Sequence, residues 1–119
     1  MAPTQSKDEI DLETIREGVK MRRLCVLDDL SVDYVEVEPG SVEFRIVHHE
    51  CDEAWYVLDG VLQAFVGDRQ LSVRSGDCVK VPRGTPHGSE NRSGEVVKML
   101  VVNGPPWSPA HDHAVSELG

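Results

Sequence analysis

Residues Gly76–Asn91 read GDCVKVPRGTPHGSEN. Gly76-Asp77 has turn chemistry, Cys78–Val81 is a short β-rich run, and PRGTPH is a Pro/Gly-rich loop that turns the chain back just before His87. Outward from this segment the pattern repeats. From Leu24 on, VDYVEVEPG, SVEFRIVHH, AWYVLDG, VLQAFVGD, QLSVRSGD, CVKVPRG and EVVKMLVVNG alternate strand-forming residues with Gly, Pro or Asp. Short strands at this regular spacing predict an all-β antiparallel sandwich or barrel.

The stretch Ile46–Glu53, IVHHECDE, is the chemically dense part. Successive strand side chains point to opposite faces, so only one of the paired imidazoles can look inward. Val42, Phe44, Ile46 and His48 share one parity, apolar until it ends in His48; Glu43, Arg45, Val47 and His49 share the other. If the apolar face lines the interior, His48 sits at the edge of a cavity and His49 faces out. A single inward histidine is as often a satisfied core residue as a functional one. Parity alone does not choose between these.

Composition limits the partners. The chain has 119 residues, the size of one domain, with 12 Lys and Arg against 21 Asp and Glu, a formal charge of −9. That charge opposes binding to phosphate backbones and anionic membranes. MAPTQSKDEIDLE lacks the apolar run of a signal peptide, and no later stretch approaches the roughly 18 apolar residues of a membrane span, so a cytoplasmic location is expected. Cys25, Cys51 and Cys78 form neither a disulfide framework nor a paired thiolate metal site.

Two spaced patterns link these segments to a family. Gly76, five residues, Pro82, one, Gly84, two, His87, three, Asn91 resembles the second motif of the cupin superfamily at every position. The first cupin motif is matched by Gly40, His48, Glu53 and Gly60, with Ile46 where its first histidine belongs. The resemblance, running from Gly40 to Asn91, implies a cupin-type double-stranded β-helix, or jelly-roll barrel, at residues 24–104. A short N-terminal helix within an arm at residues 1–23 and a C-terminal tail at residues 105–119, irregular and lying on the surface or frayed, complete the expected layout.

The resemblance further implies that His48, Glu53 and His87 converge on one divalent metal. Two imidazoles and a carboxylate suit Fe, Mn, Ni or Zn, with positions left open for water or substrate. An alignment that selects His49 instead puts Gly40 out of register; in both alignments the first histidine is absent. An aliphatic side chain donates no lone pair, so a four-ligand site is reduced to three. The competing reading is that metal has been abandoned and His48 and Glu53 act as acid and base.

Other residues are secondary. Cys51, beside Glu53, is a possible ligand or nucleophile but more simply a small buried group. Trp55 continues the face of Glu53 and could wall the pocket, whereas Glu43 and Arg45 are expected on the outer face. His111 and His113 could supply the missing imidazole if the tail folds over the barrel mouth. Three functions follow: a metal-dependent oxygenase, lyase or isomerase acting on a small polar molecule; a metal-free isomerase or dehydratase; or a non-catalytic small-ligand-binding module. The resemblance also implies a homodimer, with RRLCVLDDL as a candidate exchanged segment.

Overall fold

The computed structural model describes residues 3–114. The strands are β1 Glu13–Arg16, β2 Val19–Val26, β3 Ser31–Val37, β4 Val42–Val47, β5 Asp52–Asp59, β6 Val61–Val66, β7 Arg69–Arg74, β8 Cys78–Val81, β9 His87–Glu90, β10 Val97–Gly104 and β11 His113–Ala114. They form two sheets, ordered β1-β2-β3-β10-β5-β8 and β11-β4-β9-β6-β7. Every pairing is antiparallel. The antiparallel all-β architecture expected from the turn spacing, and the jelly roll implied by the family resemblance, are what the chain forms.

Alternation builds the core. Val35 and Val37 of β3, Trp55 and Val57 of β5, Leu62 and Ala64 of β6, Val79 and Val81 of β8, and Val97, Met99 and Val101 of β10 are buried as one cluster. Each strand contributes every second residue, as a sheet with one face on the core requires. Among the described residues no helix is long and apolar enough to cross a membrane.

The structure differs from the sequence expectations at both ends and in β4. The N-terminal segment has only a 3-10 turn at Lys7–Glu9; Thr14 and Ile15, β-branched residues, lie instead in strand β1. The boundary drawn between residues 23 and 24 falls inside β2, which pairs along its length with β3. At the other end the tail is seated on the barrel: Trp107 is buried, a 3-10 turn spans Pro109–His111, and His113 and Ala114 pair with Val47 and Ile46. Residues 115–119 lie outside the described residues.

In β4 the parity breaks. Val42 pairs with Glu90 and Glu43 with Ser89, but the next partners are Ile46 and His87, so β4 spends three steps where β9 spends two. This bulge leaves Val42 exposed and puts Glu43 on the cavity wall together with Ile46. Arg45 remains exposed, donating to the Gly67 carbonyl.

Candidate metal centre

Three strands and one loop assemble the site. His48 immediately follows β4, Glu53 is the second residue of β5, and His87 opens β9. The Pro82–Pro86 loop brings the two histidines into register: Gly84, at φ +79°, donates its backbone N–H to the His48 carbonyl at 2.6 Å. An L side chain rarely adopts that φ, so glycine suits the position. On the far side of β9, Asn91 is fully buried and saturated, donating to the Val37 and Glu95 carbonyls and accepting from the Ser93 backbone N–H and hydroxyl. Its role is to pin the turn after β9.

His48 and His87 are buried, their rings edge to face at 4.8 Å. His87 Nδ1 lies 2.9 Å from the Thr85 carbonyl, which can only accept; Nδ1 therefore carries a proton and a neutral ring exposes the Nε2 lone pair. That Nε2 is 3.5 Å from Glu53 Oε2. His48 Nδ1 lies 3.0 Å from the same oxygen, without the alignment of a hydrogen bond, and both atoms are buried with no hydrogen-bond partner among the described residues. One nitrogen of each ring and one Glu53 oxygen fall within 4.8 Å of one another. Trp55 Nε1 donates to Oε1, the other Glu53 oxygen, at 2.9 Å.

The electrostatics fit a cation at this point. Burial pulls the His87 pKa down, favouring the neutral imidazole a metal needs. Burial also disfavours charge on His48, but Asp112 and Glu53 on either side of the ring outweigh it and raise its pKa to about 9. Without a metal, His48 thus holds the positive charge that Glu53 calls for. A divalent ion would take the place of the His48 proton beside Glu53 Oε2, and two imidazoles with a carboxylate form a donor set suited to Fe, Mn, Ni or Zn.

The surrounding cavity, about 40 Å³, is lined in part by Ile46, Asp33, Glu43 and Asn103. At roughly 10–15 Å³ per water it has room for a few waters. Burial raises the Glu43 pKa to about 7 against the pull of Arg16, whose guanidinium is 3.1 Å away. Burial likewise raises Asp33 to about 6, opposed by Arg23. Asp33 Oδ1 and Asn103 Oδ1 are buried without hydrogen-bond partners among the described residues.

Most of the residues singled out from sequence are brought together, and some are not. Trp55 walls the cavity and His49 is exposed. Cys51 is completely buried, accepts from Asn103 Nδ2 at 3.5 Å and lies outside the His48–Glu53–His87 group; burial raises its pKa, as for an inert thiol. The tail does fold over the mouth, but neither of its histidines supplies an imidazole: His111 closes a capping box with Ser108, and His113 reaches Glu50 at 3.1 Å. The tail residues in the cavity wall are Trp107 and Asp112; sequence reasoning missed Asp112 and Arg16 and placed Glu43 on the outer face. Trp107, an apolar anchor within the tail, and the Ser-Pro start of the turn after it were the available signals.

Residues 33–103, more than half of the chain, match the family described as Cupin domain. The chain belongs to the cupin family. Uncharacterized protein MJ1618 of Methanocaldococcus jannaschii is 31% identical over 72 residues, 60% of this cupin and 58% of that protein. A relative from Sinorhizobium fredii is matched over 23% of its length, so the chain spans less than two thirds of each. Among solved structures, the polyketide cyclase RemF from Streptomyces resistomycificus superposes with a TM-score of 0.84 at 25% identity, covering 97% of this cupin and 86% of that chain. A cupin-superfamily sugar phosphate isomerase from Silicibacter pomeroyi gives 0.77 at 26% identity, covering 90% and 77%.

Proposed function

We propose that this cupin is a small metal-dependent enzyme acting on a small polar organic molecule, with His48, Glu53 and His87 holding a divalent ion. The observation carrying this reading is the meeting of one nitrogen of His48, one nitrogen of His87 and one oxygen of Glu53 within 4.8 Å, with His48 Nδ1 and His87 Nε2 at 3.0 and 3.5 Å from Glu53 Oε2. Bound there, the ion would supply Lewis-acid or redox chemistry at positions three protein ligands leave open. Ile46 stands against His87 across the β4–β9 pair, where a fourth ligand would otherwise come.

The protein groups would do the rest. Trp55 fixes the Glu53 carboxylate through Oε1, while Asp33 Oδ1 and Asn103 Oδ1 offer acceptors to hydroxyl or amine groups of a ligand. Glu53 and His48 are the candidates for proton transfer. The cyclase and the isomerase among the structural neighbours support an enzyme of this general kind. The same reading takes the protein as a cytoplasmic homodimer with a small-molecule substrate and neither a nucleic-acid nor a membrane partner.

A second reading has its own support. His48, raised to about 9 between Asp112 and Glu53, is a proton holder in a metal-free chain, as an acid/base isomerase or dehydratase would use. Elemental analysis of untagged protein purified without added metal, followed by titration with Fe, Mn, Ni and Zn, separates the two. Uptake of about one equivalent per chain supports the metal enzyme; less than about a tenth, with no uptake on titration, supports the acid/base reading.

A further inference from the structure

The contact that stands apart from the cluster is Asp112. Its Oδ1 lies 2.6 Å from His48 Nε2 and accepts from Trp107 Nε1 at 2.9 Å, while Oδ2 is 3.4 Å from Arg16 Nη1. Asp112 is not part of the group that could surround an ion, because it approaches His48 from the opposite edge of the ring. The segment carrying it is held at several points. The Trp107 backbone N–H donates to Ser31 Oγ at 3.0 Å, Arg23 Nη2 donates to the Trp107 carbonyl at 2.6 Å, the Ser108–His111 capping box closes the following turn, and β11 pairs with β4.

A carboxylate cannot donate a proton at neutral pH, so the short His48–Asp112 contact requires the proton on Nε2. The lone pair of a neutral His48 ring must then be on Nδ1, the atom facing Glu53 Oε2. Outer carboxylates that orient a ligating imidazole in this way sharpen both its direction and its basicity. We propose that Asp112 is a positioning residue for the metal centre: it fixes His48 as an Nδ1 ligand, so the site is complete only when the C-terminal segment is docked on the barrel. The inference rests on the metal-binding reading above and assigns to the tail a part that neither motif contains.

The test is Zn(II) affinity, measured by competition with a chromophoric chelator for wild type, D112N and D112A, together with long-range ¹H–¹⁵N correlation spectra of the Zn-loaded proteins. D112A should bind Zn about 10- to 100-fold more weakly. D112N, which keeps a neutral acceptor, should fall between it and wild type. In the wild-type spectrum His48 should carry its proton on Nε2 and coordinate through Nδ1. Should D112A not fold, D112N and the wild-type spectrum still decide. An affinity for D112A within about twofold of wild type, even with lowered stability, overturns the inference, as does a wild-type His48 protonated on Nδ1. If wild type takes up no Zn, Fe, Mn or Ni at all, the metal reading fails first and this inference with it; wild-type uptake with an unaltered variant defeats the inference alone.

Discussion

Trp55 Nε1 donates to Glu53 Oε1 at 2.9 Å, so the indole ties down one oxygen of the carboxylate and leaves Oε2 toward His48 and His87. The two residues are two apart on β5, on the same face of the strand, and Trp55 is 2% exposed. The same side chain therefore packs the core and orients a candidate ligand. W55F keeps most of the apolar volume and removes the donor. Stability should fall by about 1 kcal/mol, and metal affinity should fall several-fold as Glu53 gains rotamers; urea unfolding and chelator competition measure the two separately.

Ile46 gives the opposite prediction. Facing the cavity across from His87, it stands where an imidazole would complete four protein ligands. I46H should bind divalent metal about tenfold more tightly or better, at some cost in stability to the metal-free chain because a polar ring is buried without a partner. Titration calorimetry with and without chelator reads both effects.

Gly84 couples the β8–β9 loop to His48. A Cβ placed there would have only His49 Nδ1 nearby, at 4.0 Å, so the penalty of G84A comes from its φ of +79° rather than from crowding. A loss of about 1–2 kcal/mol is expected. If the loop relaxes to relieve it, the Gly84–His48 hydrogen bond goes first, and metal affinity should drop along with the unfolding midpoint.

Glu43 makes a pH prediction. Its folded pKa of about 7, against an ordinary 4.5, means that between these values the folded chain retains a proton the unfolded chain has released. Raising the pH through that window therefore costs stability, on the order of 3 kcal/mol across it, with little further change above. E43Q lacks the titrating group. The wild-type minus E43Q stability difference, from urea melts in chelator between pH 4.5 and 7.5, should fall with rising pH and then level; a flat difference contradicts the burial of this carboxylate.

What could be read from the sequence was local. Gly76, Pro82 and Gly84 mark turns through their own backbone preferences, so the route of the chain to His87 was visible without tertiary information. His48 was selected by strand parity and is the buried histidine of the pair. Glu43 was misplaced because a bulge inserts a step that side-chain alternation does not record; the fault shows only in the pairing with β9. Asp112 was missed for another reason. A segment with three prolines between residues 105 and 109 carries no strand period, and what docks it is a set of contacts from β2 and β3 that no local pattern predicts.

In the proposed metal centre, one nitrogen of His48, one nitrogen of His87 and one oxygen of Glu53 share a divalent ion inside the barrel. The most direct test is a crystal of the untagged protein grown with Mn(II) or Zn(II), with diffraction collected on both sides of the metal's absorption edge. A shared ion gives an anomalous peak of near-full occupancy among His48 Nδ1, Glu53 Oε2 and His87 Nε2. No peak there at saturating metal, with His48 Nε2 still against Asp112 and Nδ1 beside Glu53 as in the metal-free chain, would rule the shared ion out.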